Sequence, residues 1–270
     1  MGGAPFNVAW NLHVLGQKPQ FISAVGGDEE GEKILRCMSQ NNLSTESVQC
    51  SEYPTGTVKV SIVNDEPRYE ILPEQAFDHI EYDRIQSDSA SAAILYHGSL
   101  IWRNSVSRQS LMKLRTEISA PVFVDLNIRE PWFEMVWVPE ILNSATVLKL
   151  NKDELKTVTG LIDSDETSIK DAALSLRRKY EISQIWVTAG SEGAWLFDEE
   201  GHMHFEAVPA VNHFVDAVGA GDAFAACVIS GFLNELPAPE TLRHAVRFAA
   251  RICQIRGATS DDLSIYSADL

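Results

Sequence analysis

Short apolar runs alternate with helical segments along most of the chain. The apolar runs fall at residues 92–96, 122–126, 146–150 and 185–187, and helical periodicity is clearest at residues 107–119 and 168–180. Strands that are buried on both faces carry apolar side chains at consecutive positions and are typical of parallel sheets. Strands and helices in alternation indicate βαβ units. The pattern therefore predicts an α/β fold, with a mainly parallel sheet between two layers of helices.

The N-terminal part of the chain predicts a helix, a strand and a second helix. Apolar residues at helical spacing from Val8 to Leu15 precede Gly16, and glycine is a typical residue just beyond a helix C-terminus. Residues 21–25 predict a strand. The glycine-rich and acidic residues that follow predict the start of a second helix, which continues through Met38.

A different pattern occupies residues 57–63, where apolar and polar side chains alternate strictly. The alternation resumes at Tyr69 and Ile71, and residues 65–67 between them predict a turn. Strict alternation is typical of an antiparallel hairpin with one solvated face. The pattern by itself is that of an ordinary edge hairpin.

A glycine-rich loop precedes an apolar helical pattern near the C-terminal end. Gly219, Ala220 and Gly221 are followed directly by Asp222, and apolar residues recur every fourth position from Phe224 onward. A helix N-terminus binds anions because its first N–H groups have no intrahelical partner, and glycine lets the backbone approach a phosphate closely. A carboxylate at this place is either a helix cap or a general base beside an anion site.

Polar residues follow four of the predicted strands. They are Gly98 and Ser99; Asp125, Asn127 and Arg129; Asn151 and Glu154; and Thr188, Gly190 and Gly193. Ligands of open α/β sheets bind at the carboxyl ends of the strands. The four groups together predict a ligand site at one edge of the sheet.

Each of these candidates also has a structural interpretation. Arg129 could equally form an ion pair with Asp125 or Glu130. Asn151 and Glu154 could form a capped helix start, and residues 188–193 could be a turn between strands. Asn7, which lies at the start of the first predicted helix, is interpreted as its N-cap.

Composition limits the classes of partner and environment. The chain has 270 residues, 45% of them hydrophobic, and a formal net charge of −16. This charge argues against nucleic acid and against anionic membrane surfaces as partners. The cysteines Cys37, Cys50, Cys227 and Cys253 form no Cys-x-x-Cys pair, and they are interpreted as free buried thiols in a reducing cytoplasm. The sequence shows no secretory signal pattern at Met1 and no apolar run long enough to span a membrane.

The glycine-rich loop resembles a signature of the PfkB, or ribokinase-like, sugar kinases. That signature has the pattern Asp-Thr-x-Gly-Ala-Gly-Asp and matches residues 216–222, with Ala217 in place of the threonine. A second family signature resembles the start of the chain, where the Gly-Gly-Ala-Pro of residues 2–5 precedes Asn7.

Lesser motifs extend the resemblance over nearly the whole chain. Residues 125–132 resemble the Asp-x-Asn-x-Arg-x-x-Trp stretch of bacterial fructokinases and 2-keto-3-deoxygluconate kinases. The Asn-x-x-Glu motif of the family matches residues 151–154, its Thr-x-Gly-x-x-Gly stretch matches residues 188–193, and its Gly-Ala near the adenine matches residues 257–258.

The resemblance implies a role for each candidate residue. Asp222 would be the general base that accepts the proton of a sugar hydroxyl. The N–H groups of Gly219, Ala220, Gly221 and Asp222 would stabilise the transferred phosphoryl group. The sugar would contact Gly3, Asn7, Arg129 and Asp222, and the nucleotide would contact Thr188, Gly190, Gly193, Gly219 and Gly221.

The resemblance also implies the cofactors and the assembly. Asn151 and Glu154 would hold Mg²⁺ through water molecules, and Asp216 would border a monovalent cation, K⁺. The chain would form a single carbohydrate kinase domain over residues 1–270, a ribokinase-like three-layer α/β/α sandwich with an antiparallel β lid at about residues 55–73. The implied activity is phosphoryl transfer from ATP to a ketose, with fructose as the first candidate, in the cytoplasm. Several branches of the family form homodimers.

Three points stay open from the sequence. The substrate could be 2-keto-3-deoxygluconate, another sugar or a nucleoside, and a catalytically weak regulator that binds sugar or nucleotide is the rival from a different class. Family members carry a strand with a sugar-binding aspartate before the Gly-Gly loop, whereas this sequence begins at the loop. The expectation is that the 270-residue chain alone is poorly soluble or weakly active, and that an in-frame upstream segment supplies this strand.

Overall fold

The structure is a computed structural model, and it describes residues 2–63, 66–85, 91–163, 165–211, 213–260, 262 and 265–266. For residues 60–63 and 66–69 only the backbone is described. The chain forms two compact units. One comprises residues 19–92 and 101–119, and the other comprises residues 2–18, 93–100 and 120–270.

The described part of the smaller unit contains two short sheets and two α-helices, besides short 3-10 helices such as Ala76–His79 and Tyr82–Arg84. Strands β1 (Ser23–Gly26) and β2 (Val48–Ser51) are parallel and are joined through helix α2 (Glu29–Gln40). Strands β3 (Val58–Val63) and β4 (Glu66–Ile71) form an antiparallel hairpin, and helix α3 (Ser105–Glu117) completes the unit. The first strand, the second helix and the hairpin are thus confirmed.

The hairpin differs in detail from its prediction. Glu66 and Pro67 belong to β4, where they pair with Val63 and Ile62 of β3, so they are not turn residues. Asp65 lies outside the described residues. Val58, which was placed on the apolar face, is 51% exposed. The other apolar side chains of β3 lie in the part whose side chains are not described.

The larger unit is built on a six-stranded sheet with the order β10-β9-β8-β7-β6-β5. Its strands are β5 (Leu95–Gly98), β6 (Val122–Asp125), β7 (Val147–Asn151), β8 (Gln184–Thr188), β9 (Gly193–Phe197) and β10 (Met203–Ala207). Strands β5 to β8 are parallel, and β9 and β10 continue the sheet antiparallel. The parallel part was predicted from the apolar runs, whereas the last two strands were not.

Two groups of helices cover the two faces of this sheet. Helices α1 (Ala4–Val14), α7 (Ala220–Leu233) and α8 (Ala238–Ile252) pack on one another, and α5 (Lys152–Thr159) packs on α6 (Glu166–Tyr180). The short helix α4 (Val138–Leu142) precedes β7. Trp186 of β8 contacts Phe224 of α7, with ring centroids 6.1 Å apart. Because strand side chains alternate, every second residue of β6 to β8 faces α7 and the others face α5 and α6.

The cysteines only partly match their prediction. Cys227 is buried in α7, and burial raises the pKa of its thiol to about 12. Cys50 is exposed, because its position in β2 points away from the packed side of that strand, and the prediction that it is buried was wrong. Among the helices that the structure describes, none is long and apolar enough to cross a membrane.

Candidate active site

The N-terminus of α7 presents an open group of backbone donors. Gly219 is the N-cap residue, with a φ of 81°, and a Cβ at this position would lie 2.3 Å from the Cβ of Ala258. Only glycine therefore allows the loop and the 257–258 segment to approach so closely. The N–H of Ala220 donates to the carbonyl of Ala217 at 3.2 Å. Within the described residues, the N–H groups of Gly219, Gly221 and Asp222 have no acceptor, as an anion site requires.

Asp222 lies in the first turn of α7 and does not cap the helix, which has no side-chain cap. Its Oδ2 instead accepts a hydrogen bond of 2.7 Å from Nδ2 of Asn7 on α1. Of the two interpretations of Asp222, the helix cap was therefore wrong. The packing of α1 against α7 brings together two residues that are 215 positions apart in sequence.

Asn7 lies within α1 and is buried. The N-cap residue of this helix is Gly3, which has a φ of 108° and open space around it. The interpretation of Asn7 as a helix N-cap was therefore wrong. Its Oδ1 is buried and has no hydrogen-bond partner among the described residues. A buried amide oxygen without a partner is costly, and a sugar hydroxyl could donate to it.

The environment of Asp222 suits proton transfer near neutral pH. Burial raises the pKa of its carboxyl to about 6, while the hydrogen bond from Asn7 lowers it. The carboxylate of Asp125 raises this pKa further, and the cations Lys149 and Arg129 lower it. A general base is most effective when its pKa lies near the working pH.

Asp125 and Lys149 form a buried ion pair beside this carboxyl. The Nζ of Lys149 lies 2.9 Å from both carboxylate oxygens of Asp125, to which it is the cross-strand neighbour. The side chains are 7% and 1% exposed. Lys149 was missed from the sequence, although a lysine within the apolar run at residues 146–150 was the signal that could have identified it.

Arg129 follows β6 and is exposed to solvent. Its Nη1 donates to the carbonyl of Ile128 at 3.0 Å, and it forms no ion pair with a described residue. The alternative of a surface ion pair with Asp125 or Glu130 was therefore wrong, because Asp125 is already paired with Lys149. Its positive charge, which has no ion-pair partner in the described part of the chain, lies after the carboxyl end of β6.

Asn151 and Glu154 form a reciprocal capping box at the start of α5. The N–H of Glu154 donates to Oδ1 of Asn151, and the N–H of Asn151 donates to Oε2 of Glu154, both at 2.8 Å. The other oxygen of Glu154 accepts from the N–H of Ile128, also at 2.8 Å. The structural interpretation is thus confirmed. The remaining lone pairs could accept hydrogen bonds from water, which fits Mg²⁺ held through its hydration shell and not by direct ligation.

The stretch at residues 188–193 is the turn that joins β8 to β9, with Thr188 at the end of β8. A Cβ on Gly193 would lie 2.1 Å from the carbonyl oxygen of Glu206, so glycine is required there by the packing of β10. Gly190 has a φ of 56° and open space around it. Thr188 also pairs in register with Asn151, which places the turn beside the capping box at the carboxyl edge.

Asp216 connects the residue before the glycine loop to the 257–258 segment through two hydrogen bonds. Its Oδ1 accepts from the N–H of Val218 at 3.0 Å, and its Oδ2 accepts from the N–H of Gly257 at 3.4 Å. Asp216 therefore contacts the 257–258 segment. Its role in holding a monovalent cation stays a prediction.

Comparison with known proteins identifies the family of this chain. The model of the pfkB family carbohydrate kinases matches residues 1–265. The chain belongs to the PfkB family. This PfkB protein is a sugar kinase, a phosphotransferase with an alcohol group as acceptor.

Kinases named for different substrates are similar to this PfkB kinase. A fructokinase of Escherichia coli is 30% identical over 247 residues, which cover 85% of this chain and 76% of the relative. The fructokinase of Vibrio cholerae O395 in a form with fructose, ADP and calcium ion has a TM-score of 0.82 at 24% identity, over 98% of this chain and 90% of that one. The 2-dehydro-3-deoxygluconokinase of Thermotoga maritima has a TM-score of 0.84 at 18% identity, over 96% and 86%. The ribokinase-like fold is thereby confirmed.

Proposed function

We propose that this PfkB kinase transfers the γ-phosphoryl group of ATP to a hydroxyl of a ketose, with fructose as the first candidate. The observation that carries the proposal is the pairing of Asp222 with Asn7 beside the free N–H groups of the glycine loop. The proposal is supported by three features near one helix N-terminus: a carboxyl group whose pKa is raised to about 6, a buried amide oxygen without a described partner, and N–H groups without a described acceptor.

In the proposed reaction, the Asp222 carboxylate accepts the proton of the sugar hydroxyl. The hydroxyl oxygen forms the new bond to the γ-phosphorus as the bond from that phosphorus to the bridging oxygen of ADP breaks. Charge on the transferred group is stabilised by the N–H groups of Gly219, Gly221 and Asp222, because that of Ala220 already donates to the carbonyl of Ala217. The buried Oδ1 of Asn7 accepts a hydrogen bond from the sugar. The transition state of phosphoryl transfer is loose, so the protein contributes mainly by positioning the reactants and by stabilising charge.

The nucleotide is proposed to lie against Thr188, Gly190 and the glycine loop. Support comes from the open space around Gly190 and from the position of the turn beside β7. Asn151 and Glu154 would hold Mg²⁺ through water, and Asp216 would border K⁺. When bound, Mg²⁺ neutralises part of the phosphate charge. We further propose that residues 1–270 act as one kinase domain with the β3–β4 hairpin as its lid, in the cytoplasm and as a homodimer.

Arg129 favours a second candidate substrate. Its exposed guanidinium lacks an ion-pair partner in the described structure, and such a fork of donors suits a carboxylate. A sugar acid such as 2-keto-3-deoxygluconate is therefore the alternative to a neutral ketose.

A sugar panel tests the proposal. Purified protein is incubated with ATP, Mg²⁺ and K⁺ and with fructose, 2-keto-3-deoxygluconate, ribose or a nucleoside, and ADP release and sugar phosphate are both measured. Asp222→Asn is the matched control, because it keeps size and polarity but cannot act as a base. Sugar-dependent ADP formation that this variant lacks supports the kinase. Tight binding of sugar or ATP without turnover would instead support a regulator.

A further inference from the structure

The buried cation Lys149 is not explained by the roles described so far. It lies in β7 among the apolar residues Val147, Leu148 and Leu150, on the strand face directed toward α7. Its Nζ is bonded to both oxygens of Asp125, which lies at the end of β6 on the same face. The pair is therefore located under the N-terminus of α7.

The distance to the glycine loop is short. A Cβ built on Gly221 would be 3.5 Å from Nζ of Lys149, so the ammonium group lies directly behind the loop that presents the free N–H groups. A cation at a helix N-terminus is opposed by the helix dipole. Burial of an ion pair also carries a desolvation penalty that often exceeds the attraction between its charges. Stability is thus a weak explanation for this pair.

The charges that act on Asp222 suggest a different explanation. Helix α1 contributes the neutral donor Asn7, β6 and the loop after it contribute Asp125 and Arg129, and β7 contributes Lys149. Burial is the largest influence and disfavours the ionised carboxyl, and the negative charge of Asp125 acts in the same direction. The positive charge of Lys149 favours the ionised carboxyl and so opposes burial and the charge of Asp125.

We propose that Lys149 is a positioning residue for phosphoryl transfer, whose ammonium group neutralises the buried Asp125 carboxylate and so keeps the neighbouring Asp222 carboxylate ionised as the base. The inference rests on the proposed role of Asp222. It adds a residue that does not touch the substrate but sets the charge state of the group that does. Tyr96, whose hydroxyl lies 3.5 Å from Oδ2 of Asp125, and Glu154, which acts on Lys149, complete the charged and titratable surroundings of the pair.

The test uses the single variants Lys149→Met and Asp125→Asn and the double variant. Lys149→Met leaves the charge of Asp125 without compensation, so the acidic limb of kcat/KM for the sugar against pH, which reports the free enzyme, should move above its wild-type position near pH 6. Each unit of upward shift lowers kcat/KM about tenfold at a pH below the limb. Asp125→Asn should move the limb downward, because the cation is then uncompensated. The double variant removes both charges and should return the limb to within about 0.5 unit of wild type.

A second readout separates this inference from the proposed function. The ¹³C carboxyl resonance of Asp222, assigned by its loss in Asp222→Asn, is titrated in each variant without any substrate. Opposite shifts of this titration in the two single variants and recovery in the double variant support the inference, even if no sugar on the panel is phosphorylated. Equal titration in all four proteins would overturn it. A pH-independent loss of kcat in Lys149→Met that the double variant shares would also overturn it, since a structural role alone predicts that result. The double variant, which buries no unpaired charge, keeps the test decisive if Lys149→Met fails to fold.

Discussion

Asp222 meets two requirements of a general base, because its pKa is raised to about 6 and its Oδ2 is fixed by Asn7 at 2.7 Å. Replacement by asparagine removes the proton acceptor and keeps the size of the side chain. Asp222→Asn is therefore expected to lower kcat by about 10²–10⁴-fold, the usual share of general acid–base catalysis, with ATP binding retained. Steady-state kinetics and calorimetric titration of ATP measure the two effects. Near-wild-type turnover in the variant would refute the assignment.

The same side chain is expected to make stability depend on pH. Burial raises the pKa of Asp222 from 3.8 to about 6, so the folded protein holds this proton more tightly than the unfolded chain does. The stability associated with the proton is complete below about pH 4 and is lost as the pH rises through 6. Asp222→Asn cannot ionise, and it should be more stable than wild type by about 1–3 kcal/mol at pH 7.

Denaturant unfolding at pH 4.5 and pH 7 checks this expectation, because the advantage of the asparagine variant should shrink at the lower pH. An advantage of equal size at both values would show that the folded-state pKa is not raised. Lys149→Met provides the contrast, since it should lower stability at pH 7 by leaving the buried Asp125 carboxylate unpaired.

At the scale of elements, the two glycines of the turn between β8 and β9 have different surroundings. Gly190 has open space around it, whereas Gly193 packs against the backbone of Glu206. Gly190→Asn should keep the fold, because asparagine tolerates a positive φ, and it should weaken ATP binding at least about tenfold by filling the proposed nucleotide space. Gly193→Val should instead lower the melting temperature strongly.

Calorimetric titration of ATP and sugar, together with thermal unfolding, distinguishes the two variants. An unchanged ATP affinity in Gly190→Asn would show that the stretch is only a turn. The family resemblance assigned both glycines to the nucleotide site and did not distinguish them. The structure separates them, because the contact with β10 becomes visible only once that strand is placed.

The predictability of the elements followed the strength of their hydrophobic patterns. The parallel strands β6 to β8 are continuous apolar runs, and they were located to within a few residues. β10 was missed although its apolar and polar side chains alternate from Met203 to Ala207, so the signal that could have identified it was present. β9 is fully buried but begins with Gly193 and Ala194, which resembled a ligand loop more than a strand.

For the candidate site, predictability depended on whether a residue belongs to a local sequence motif. The spacing of Gly219, Gly221 and Asp222 is a local signature that predicts a tight loop at a helix N-terminus, and the structure confirms that loop. The family resemblance assigned Asn7 and Asp222 to the same sugar site, but it predicted neither the hydrogen bond between them nor the position of Lys149 behind Gly221. Both arise from the packing of α1 and β7 on α7, across 215 positions in the case of Asn7. Contacts of this kind depend on topology, which the spacing of residues within one segment does not encode.

At the scale of the whole molecule, the net charge of −16 is expected to influence how substrates arrive. Both ATP and a sugar acid are anions, whereas fructose is neutral. A negative protein slows the approach of an anion at low ionic strength, and salt screens the repulsion, since the Debye length falls from about 30 Å at 0.01 M to about 8 Å at 0.15 M.

The value of kcat/KM for ATP is therefore expected to rise about two- to fivefold between 10 and 150 mM salt, and that for a neutral ketose should stay constant. Tetramethylammonium chloride must supply the ionic strength, because K⁺ would also fill the proposed site at Asp216. Repeating the series at a fixed ionic strength with K⁺ replacing tetramethylammonium isolates that second effect, and Asp216→Asn should abolish it. A salt-independent kcat/KM for ATP would mean that the local positive groups, Arg129 and the N-terminus of α7, outweigh the charge of the whole chain at the mouth of the site.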